Sequence, residues 1–175
     1  MSIKLRKLKP TESNLYRELR LECLKNYPMH FTSNYSDERK KEELFFQTHI
    51  ENSDANNFVI GAFKDDHLIG ISGFNRYEIK KIDHKGRIIQ VYVNPDYQGL
   101  QIGYRLVKRT IDNAFKIKTI EQIEIDVISS NKHAAQLYEN IGFETYGIQK
   151  HFMKVDNVYY DHIMMMLFRK SYIVE

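Results

Sequence analysis

Cysteine is nearly missing from this chain: one in 175 residues, beside no tryptophan and three prolines. A single thiol excludes an internal disulfide and fits a reducing compartment. Cys23 falls at helical spacing with Leu15 and Leu19, which makes it core rather than nucleophile. Long apolar runs are missing too. None approaches the ~20 residues that cross a bilayer, and Met1-Ser2-Ile3-Lys4-Leu5-Arg6 lacks a signal peptide's apolar segment. A cytoplasmic protein with no membrane partner is expected. Charge of one sign is scarce: a net +3 is too small to argue for nucleic acid without a concentrated patch. Lys80-Lys81 with Lys85 and Arg87 is the nearest patch and reads as a solvated loop. Seven histidines show neither H-E-x-x-H nor Cys/His ligand spacing, so no metal is expected. Gly70-Ile71-Ser72-Gly73 falls short of a G-x-S-x-G elbow. Repeats, linkers and low-complexity segments are absent.

What is present fits one domain over residues 1–175, with 42% hydrophobic residues and 28% charged. Ile3 to Leu8 alternates as a half-buried strand. Thr11 or Ser13 can cap a helix with Leu15, Leu19 and Cys23 on one face, and Tyr27-Pro28-Met29-His30-Phe31 breaks it. Ser36 is placed to cap a second helix carrying Leu44, Phe45 and Ile50. Phe58 to Phe63 and Leu68 to Tyr77 form a hairpin around Lys64-Asp65-Asp66-His67. Ile120 to Ile128 is a strand with Ile123, Ile125 and Val127 on one face and Glu124 and Asp126 on the other. A short helix from Asn131 ends at Gly142, and strands follow at about Thr145 to His151 and Tyr159 to Phe168.

The centre of the chain is the stretch from Ile88 to Ala114. Ile88, Ile89, Val91 and Val93 form a near-continuous β-branched run, the mark of a strand covered on both faces. Asn94-Pro95-Asp96 stops it. Gly99 and Gly103 bracket a loop, after which Leu106, Val107, Thr110, Ile111 and Ala114 recur at helical spacing. Unpaired amides at a helix start converge where the helix dipole is positive, which suits phosphate or pyrophosphate. The same glycines also serve a plain strand-to-helix turn. The loop is neither GxxxxGK[ST] nor G-x-G-x-x-G.

Gln98-Gly99-Leu100-Gln101-Ile102-Gly103 resembles the Q/R-x-x-G-x-G/A loop of the GNAT acetyltransferase superfamily. Gln101 stands where that motif carries its middle glycine, and its amide can still donate if its φ is negative. Asn131-Lys132-His133-Ala134-Ala135-Gln136-Leu137-Tyr138-Glu139-Asn140-Ile141-Gly142-Phe143 resembles the family's N-x-x-A-x-x-L-Y-x-x-x-G-F element at every position. Alanines and a leucine packed on a sheet account for part of it. Packing alone does not demand Asn131 and Tyr138 two turns apart on one helical side.

The resemblance implies an α/β (α+β) fold: a three-layer domain with a mixed, mostly antiparallel central sheet, a splayed parallel pair and flanking helices. It also implies acetyl transfer from acetyl-CoA to a primary amine of a small molecule, peptide or protein, by direct attack in a ternary complex. A catalytically weak acyl-CoA sensor of the same fold is the alternative. By the same resemblance, Gln98, Gly99, Leu100, Gln101, Ile102, Gly103, Tyr104 and Tyr138 belong to the cofactor site, and the amides of Gln101, Ile102, Gly103 and Tyr104 grip the pyrophosphate. Val91, Tyr92 and Val93 offer main chain to the pantetheine arm and thioester, with Asn131 and Ala134 alongside. Tyr138 matches the tyrosine that protonates the leaving thiolate; Asp126 or Glu78 is the candidate base. Tyr27, Phe31 and Tyr35, with Tyr159, Tyr160 and His162, are candidates to line the acceptor pocket. A homodimer is compatible with the resemblance.

Overall fold

The computed structural model describes residues 3–172. Its strands are β1 (Ile3–Lys7), β2 (Asn57–Lys64), β3 (His67–Arg76), β4 (Lys85–Val93), β5 (Gln122–Ile128), β6 (Glu144–Val155) and β7 (Val158–Phe168). Its helices are α1 (Ser13–Asn26), α2 (Tyr35–Glu38), α3 (Gln47–Glu51), α4 (Ile102–Phe115) and α5 (Lys132–Ile141). The strands form one sheet in the order β1-β2-β3-β4-β5-β7-β6. Every neighbouring pair is antiparallel except β4 and β5. Two hairpins turn on Asp65-Asp66 and Asp156-Asn157, all four at positive φ, as a two-residue turn matched to strand twist requires.

Side chains alternate across each strand, so the sheet feeds two cores. Phe58, Ile60 and Ala62 of β2 pack with Leu106, Val107 and Ile111 of α4 and with Ala135 and Tyr138 of α5. Val59 and Phe63 turn to the other side, against Tyr16, Leu19 and Cys23 of α1 and Phe46. That makes three layers. Among the described residues no helix is long and apolar enough to cross a membrane.

Local geometry departs from the sequence reading on α1, in the second helix and in the last two strands. On α1 the buried stripe is Tyr16, Leu19 and Cys23, while Leu15 is 38% exposed. Neither Thr11 nor Ser13 caps the helix. Thr11 lies in a 3-10 turn over Pro10–Glu12, and Ser13 Oγ donates to Glu51 Oε1 at 2.7 Å. The single second helix expected after Ser36 is two short ones. Asn34 caps the first by accepting from the Asp37 amide at 2.9 Å, and Ser36 lies inside it. Phe45 is 47% exposed, whereas its neighbour Phe46 is fully buried against β3. The last two strands are longer than expected, since their tight turn sits at Asp156-Asn157.

Two irregularities shape β4. The β3–β4 register runs Ile71↔Tyr92 and then Gly73↔Ile89, so Gln90 and Val91 together oppose Ser72. Gln90 takes φ +59, which makes this a bulge, and bulges re-aim a strand locally. On its other side β4 pairs with β5 only at Lys85↔Gln122, Gly86↔Ile123 and Arg87↔Glu124. From Ile88 onward the two parallel strands part.

Candidate active site

A cleft of about 1320 Å3 occupies the opening between Ile88–Val93 and Ile125–Val127, bounded by the α4 and α5 starts and the α1–α2 connection. That exceeds the ~300–1,000 Å3 of a usual small-ligand pocket.

One end is the Gln98–Tyr104 loop. Asn94 Oδ1 accepts from the Asp96 amide at 3.0 Å and starts a 3-10 turn over Pro95–Tyr97. Gly99 then takes φ +79, and Gln101 takes φ +55 as the residue before α4. The Arg105 amide bonds Gln101 O at 3.1 Å, which leaves the amides of Ile102, Gly103 and Tyr104 without helical acceptors. Leu100 is exposed and does not line the cleft. The negative φ considered for Gln101 is not what forms. Its backbone keeps the left-handed trace that glycine takes at no steric cost, and a side chain there costs about 1–2 kcal/mol. Replacing Gln101 by glycine relieves that strain, partly offset by about 0.5–1 kcal/mol of unfolded-chain entropy. The expected outcome is a melting temperature higher by about 1–4 °C. A lower melting temperature would refute the strain.

Along the middle, Val91 and Val93 line the cleft. The Tyr92 side chain turns into the α1 layer, where its hydroxyl donates to Glu22 Oε1 at 2.8 Å; Asn94 Nδ2 joins the same oxygen at 3.0 Å. Burial, and then the Glu22 carboxylate, push the Tyr92 hydroxyl above its ordinary pKa. Tyr92 therefore offers the cleft main chain rather than its phenol.

At the other side, Asn131 ends the β5–α5 turn and caps α5, its Oδ1 accepting from the Ala134 amide at 3.1 Å. The capping oxygen is thereby used, and the Nδ2 group of Asn131 is what remains for the cleft. Two turns along, Tyr138 is 6% exposed, its ring edge-on to Phe143 at 6.1 Å. Gly142 at φ +110 stops the helix and lets Phe143 turn back. Burial raises the Tyr138 pKa, and the negative charge of Asp126 raises it further. Tyr138 is thus a neutral hydroxyl at working pH.

Asp126 also lines the cleft, its Oδ2 3.1 Å from Nδ1 of His162. His162 is buried beneath the Phe152 ring at 4.1 Å. The register pairs Asp126 with Met164, so His162 is its diagonal cross-strand neighbour. Reading the sequence left these two apart, because the link depends on a register that neither strand reveals alone.

Tyr27 and Phe31 reach the cleft as expected. Tyr27 stacks on His30 at 5.4 Å and its hydroxyl is 3.4 Å from Gln98 Nε2, so it borders the loop end. Tyr35, beneath Arg39 on α2, does not line the cleft, and neither does Tyr160. Tyr159 of β7 is likewise outside it, stacked on His151. Glu78 is exposed on the connection after β3, also away from it. Residues missed from the sequence include Arg20, Glu38, Lys41 and Phe45, which also line the cleft. Among the described residues, no three His, Cys, Asp or Glu side chains cluster to hold a metal ion.

The sequence and the fold have counterparts in known proteins. The acetyltransferase (GNAT) domain model matches residues 5–164. Spermidine N(1)-acetyltransferase of Escherichia coli K12 is 25% identical over 132 residues, which is 74% of this chain and 67% of that protein. A GNAT-family acetyltransferase from Streptococcus pneumoniae superposes with a TM-score of 0.81 at 18% identity, covering 95% of this chain and 99% of that one. The yncA protein of Salmonella typhimurium, solved with its cofactor acetyl-CoA, gives 0.78 at 15% identity, covering 96% and 94%. Both share the sheet with its one parallel pair. With the family model spanning nearly its whole length, the chain belongs to the GNAT acetyltransferase family.

Proposed function

We propose that this protein is an N-acetyltransferase that moves the acetyl group of acetyl-CoA to a primary amine by direct attack in a ternary complex. The observation that carries the reading is the cleft itself: unpaired helix-start amides at one end, with Tyr138 and the Asp126–His162 pair lining its other wall. Acetyl-CoA supplies a thioester carbonyl that an amine can attack. The residues present fit it. Amides of Ile102, Gly103 and Tyr104, left without acceptors at the helix start, hold the diphosphate. Main-chain groups of Val91 and Val93, left without a β5 partner by the splay, meet the extended arm. The main-chain N–H of Tyr92 or Val93 stabilises charge growing on the carbonyl oxygen.

The remaining work is proton transfer. An alkyl ammonium, with a pKa near ~10.4, must lose a proton before its nitrogen attacks. Asp126, held by His162, accepts it directly or through water. A nitrogen–carbon bond forms and the carbon–sulfur bond breaks. The nitrogen gives up a second proton as the amide forms, and the thiolate takes its proton from the Tyr138 hydroxyl, which is then reprotonated from solvent; of the two protons the ammonium loses, the balance is one on sulfur and one in solvent. Glu78, outside the cleft, has no part.

The test is release of free thiol from acetyl-CoA across a panel of primary amines, beside melting-temperature shifts with acetyl-CoA, coenzyme A and ATP. Cys23 does not disturb the assay: it is fully buried and its thiol is pushed up to about 12. Turnover with at least one amine, and stabilisation by the two coenzymes but not ATP, is the expected result. Binding without turnover on every amine would overturn the enzymatic reading in favour of a sensor.

A further inference from the structure

Arg20 is a buried cation that forms no ion pair among the described residues. It is 3% exposed, it lines the cleft, and its Nε has no hydrogen-bond partner among the described residues. Its contacts are weak ones: Cζ lies 4.7 Å from the centre of the Phe31 ring, and Nη1 is 3.7 Å from Cys23 Sγ. None of the ion pairs among the described residues includes it. Glu38, whose charge and that of Arg20 both act on the Tyr16 hydroxyl, is already bonded to Lys41 at 2.5 Å. A buried guanidinium left without a counterion is strongly unfavourable, so the arrangement calls for an anion from outside the chain.

The position of Arg20 separates it from the diphosphate loop. Helix α1 is tied to β4 twice. Tyr16 Oη donates to Gln90 Oε1 at 2.8 Å on the bulge, and Tyr92 Oη donates to Glu22 at 2.8 Å. Arg20 lies between those ties, beside the bulged middle of β4, whereas the Gln98–Tyr104 loop follows the end of that strand. An anion at Arg20 therefore sits with the acceptor.

Building on the acetyl-transfer reading above, we propose that the acceptor is a small amine that also bears a carboxylate, an amino acid, and that Arg20 binds the carboxylate. The planar fork of a guanidinium matches a carboxylate with two parallel hydrogen bonds. The same charge repels a polyamine, which would add cations beside one that has no ion-pair partner among the described residues. Specificity for spermidine, carried in the name of the Escherichia coli relative, is accordingly not transferred to this chain.

The experiment compares matched pairs as acceptors with the full chain at saturating acetyl-CoA: lysine with cadaverine, ornithine with putrescine. The carboxylate member is expected to have the higher kcat/KM by about 10- to 150-fold, the range of a charge-assisted hydrogen bond. Arg20→Met brings the ratio close to one, mainly through KM, and leaves the acetyl-CoA melting shift unchanged. Arg20→Lys retains part of the preference and stands in if the methionine variant does not fold. Wild-type ratios at or below one, or ratios unaltered in the variants, would overturn the assignment. If no pair turns over, equilibrium dialysis of labelled lysine with coenzyme A present decides it, since binding that is absent or independent of Arg20 also overturns it. Loss of the acetyl-CoA shift itself would instead sink the acetyl-transfer reading.

Discussion

Tyr138→Phe is expected to lower kcat by about 100- to 10,000-fold, the usual range for losing a positioned proton donor. The melting-temperature rise produced by acetyl-CoA is expected to stay within about 1 °C of wild type, because the variant keeps the binding residues. The substitution preserves ring volume and the edge-on packing against Phe143, so the loss reports the hydroxyl alone. Reading the sequence, one would set an ordinary tyrosine near 10 against a thiol near 8.5, a gap of about 1.5 units or ~2 kcal/mol. The structure widens that gap, since burial first and Asp126 second raise the tyrosine. The same dry surroundings raise the proton affinity of a thiolate held beside it. On the proposed mechanism the hydroxyl donates to sulfur as the carbon–sulfur bond breaks. Its raised pKa keeps it protonated as pH climbs past 10, so the defect is expected to be equal at pH 7 and pH 9. A variant with unchanged kcat would remove Tyr138 from the chemistry.

Gly73→Ala is expected to cost about 3 kcal/mol, the upper part of the range for overpacking a core. A Cβ on Gly73 would lie 2.3 Å from Cε2 and 2.7 Å from Cζ of Phe46. That ring is fully buried, edge-on to Tyr16 at 6.0 Å, and has nowhere to retreat. The melting temperature is expected to fall by about 6–12 °C. Phe46→Leu removes the atoms that collide, so on that background the alanine is expected to cost less than about 1 kcal/mol. Urea unfolding of the four proteins measures the coupling. Strictly additive losses would show that Phe46 is not what makes glycine necessary here.

Gly73 also shows why parts of the chain were readable in advance and others were not. The strands around Ile60, Ile88 and Ile125 announce themselves, because β-branched runs bounded by turn residues have few other uses. The Asn131–Phe143 helix is equally plain, with its cap, its apolar stripe and Gly142 as stop. The two short helices α2 and α3 were hidden. Which of Phe45 and Phe46 goes inward is decided by a glycine on a strand 27 residues away in sequence, not by local periodicity. Asn34 and Ser36 are both good caps, and nothing local separates them. Asp126 could be suspected from its face of the strand, but its partner His162 needed the β5–β7 register. Arg20 was invisible because a search for an apolar stripe on α1 passes over a basic residue one turn beyond Tyr16.

The brief β4–β5 ladder has a mechanical meaning. Strands β1 to β4 and strands β5 to β7 are two plates joined along one short seam, from Lys85↔Gln122 to Arg87↔Glu124. Past that seam no backbone ladder joins the plates, and the core they share with α4 and α5 holds them together. On the proposed function, a guest between them is gripped by peptide groups of β4, and it mends the sheet for as long as it stays.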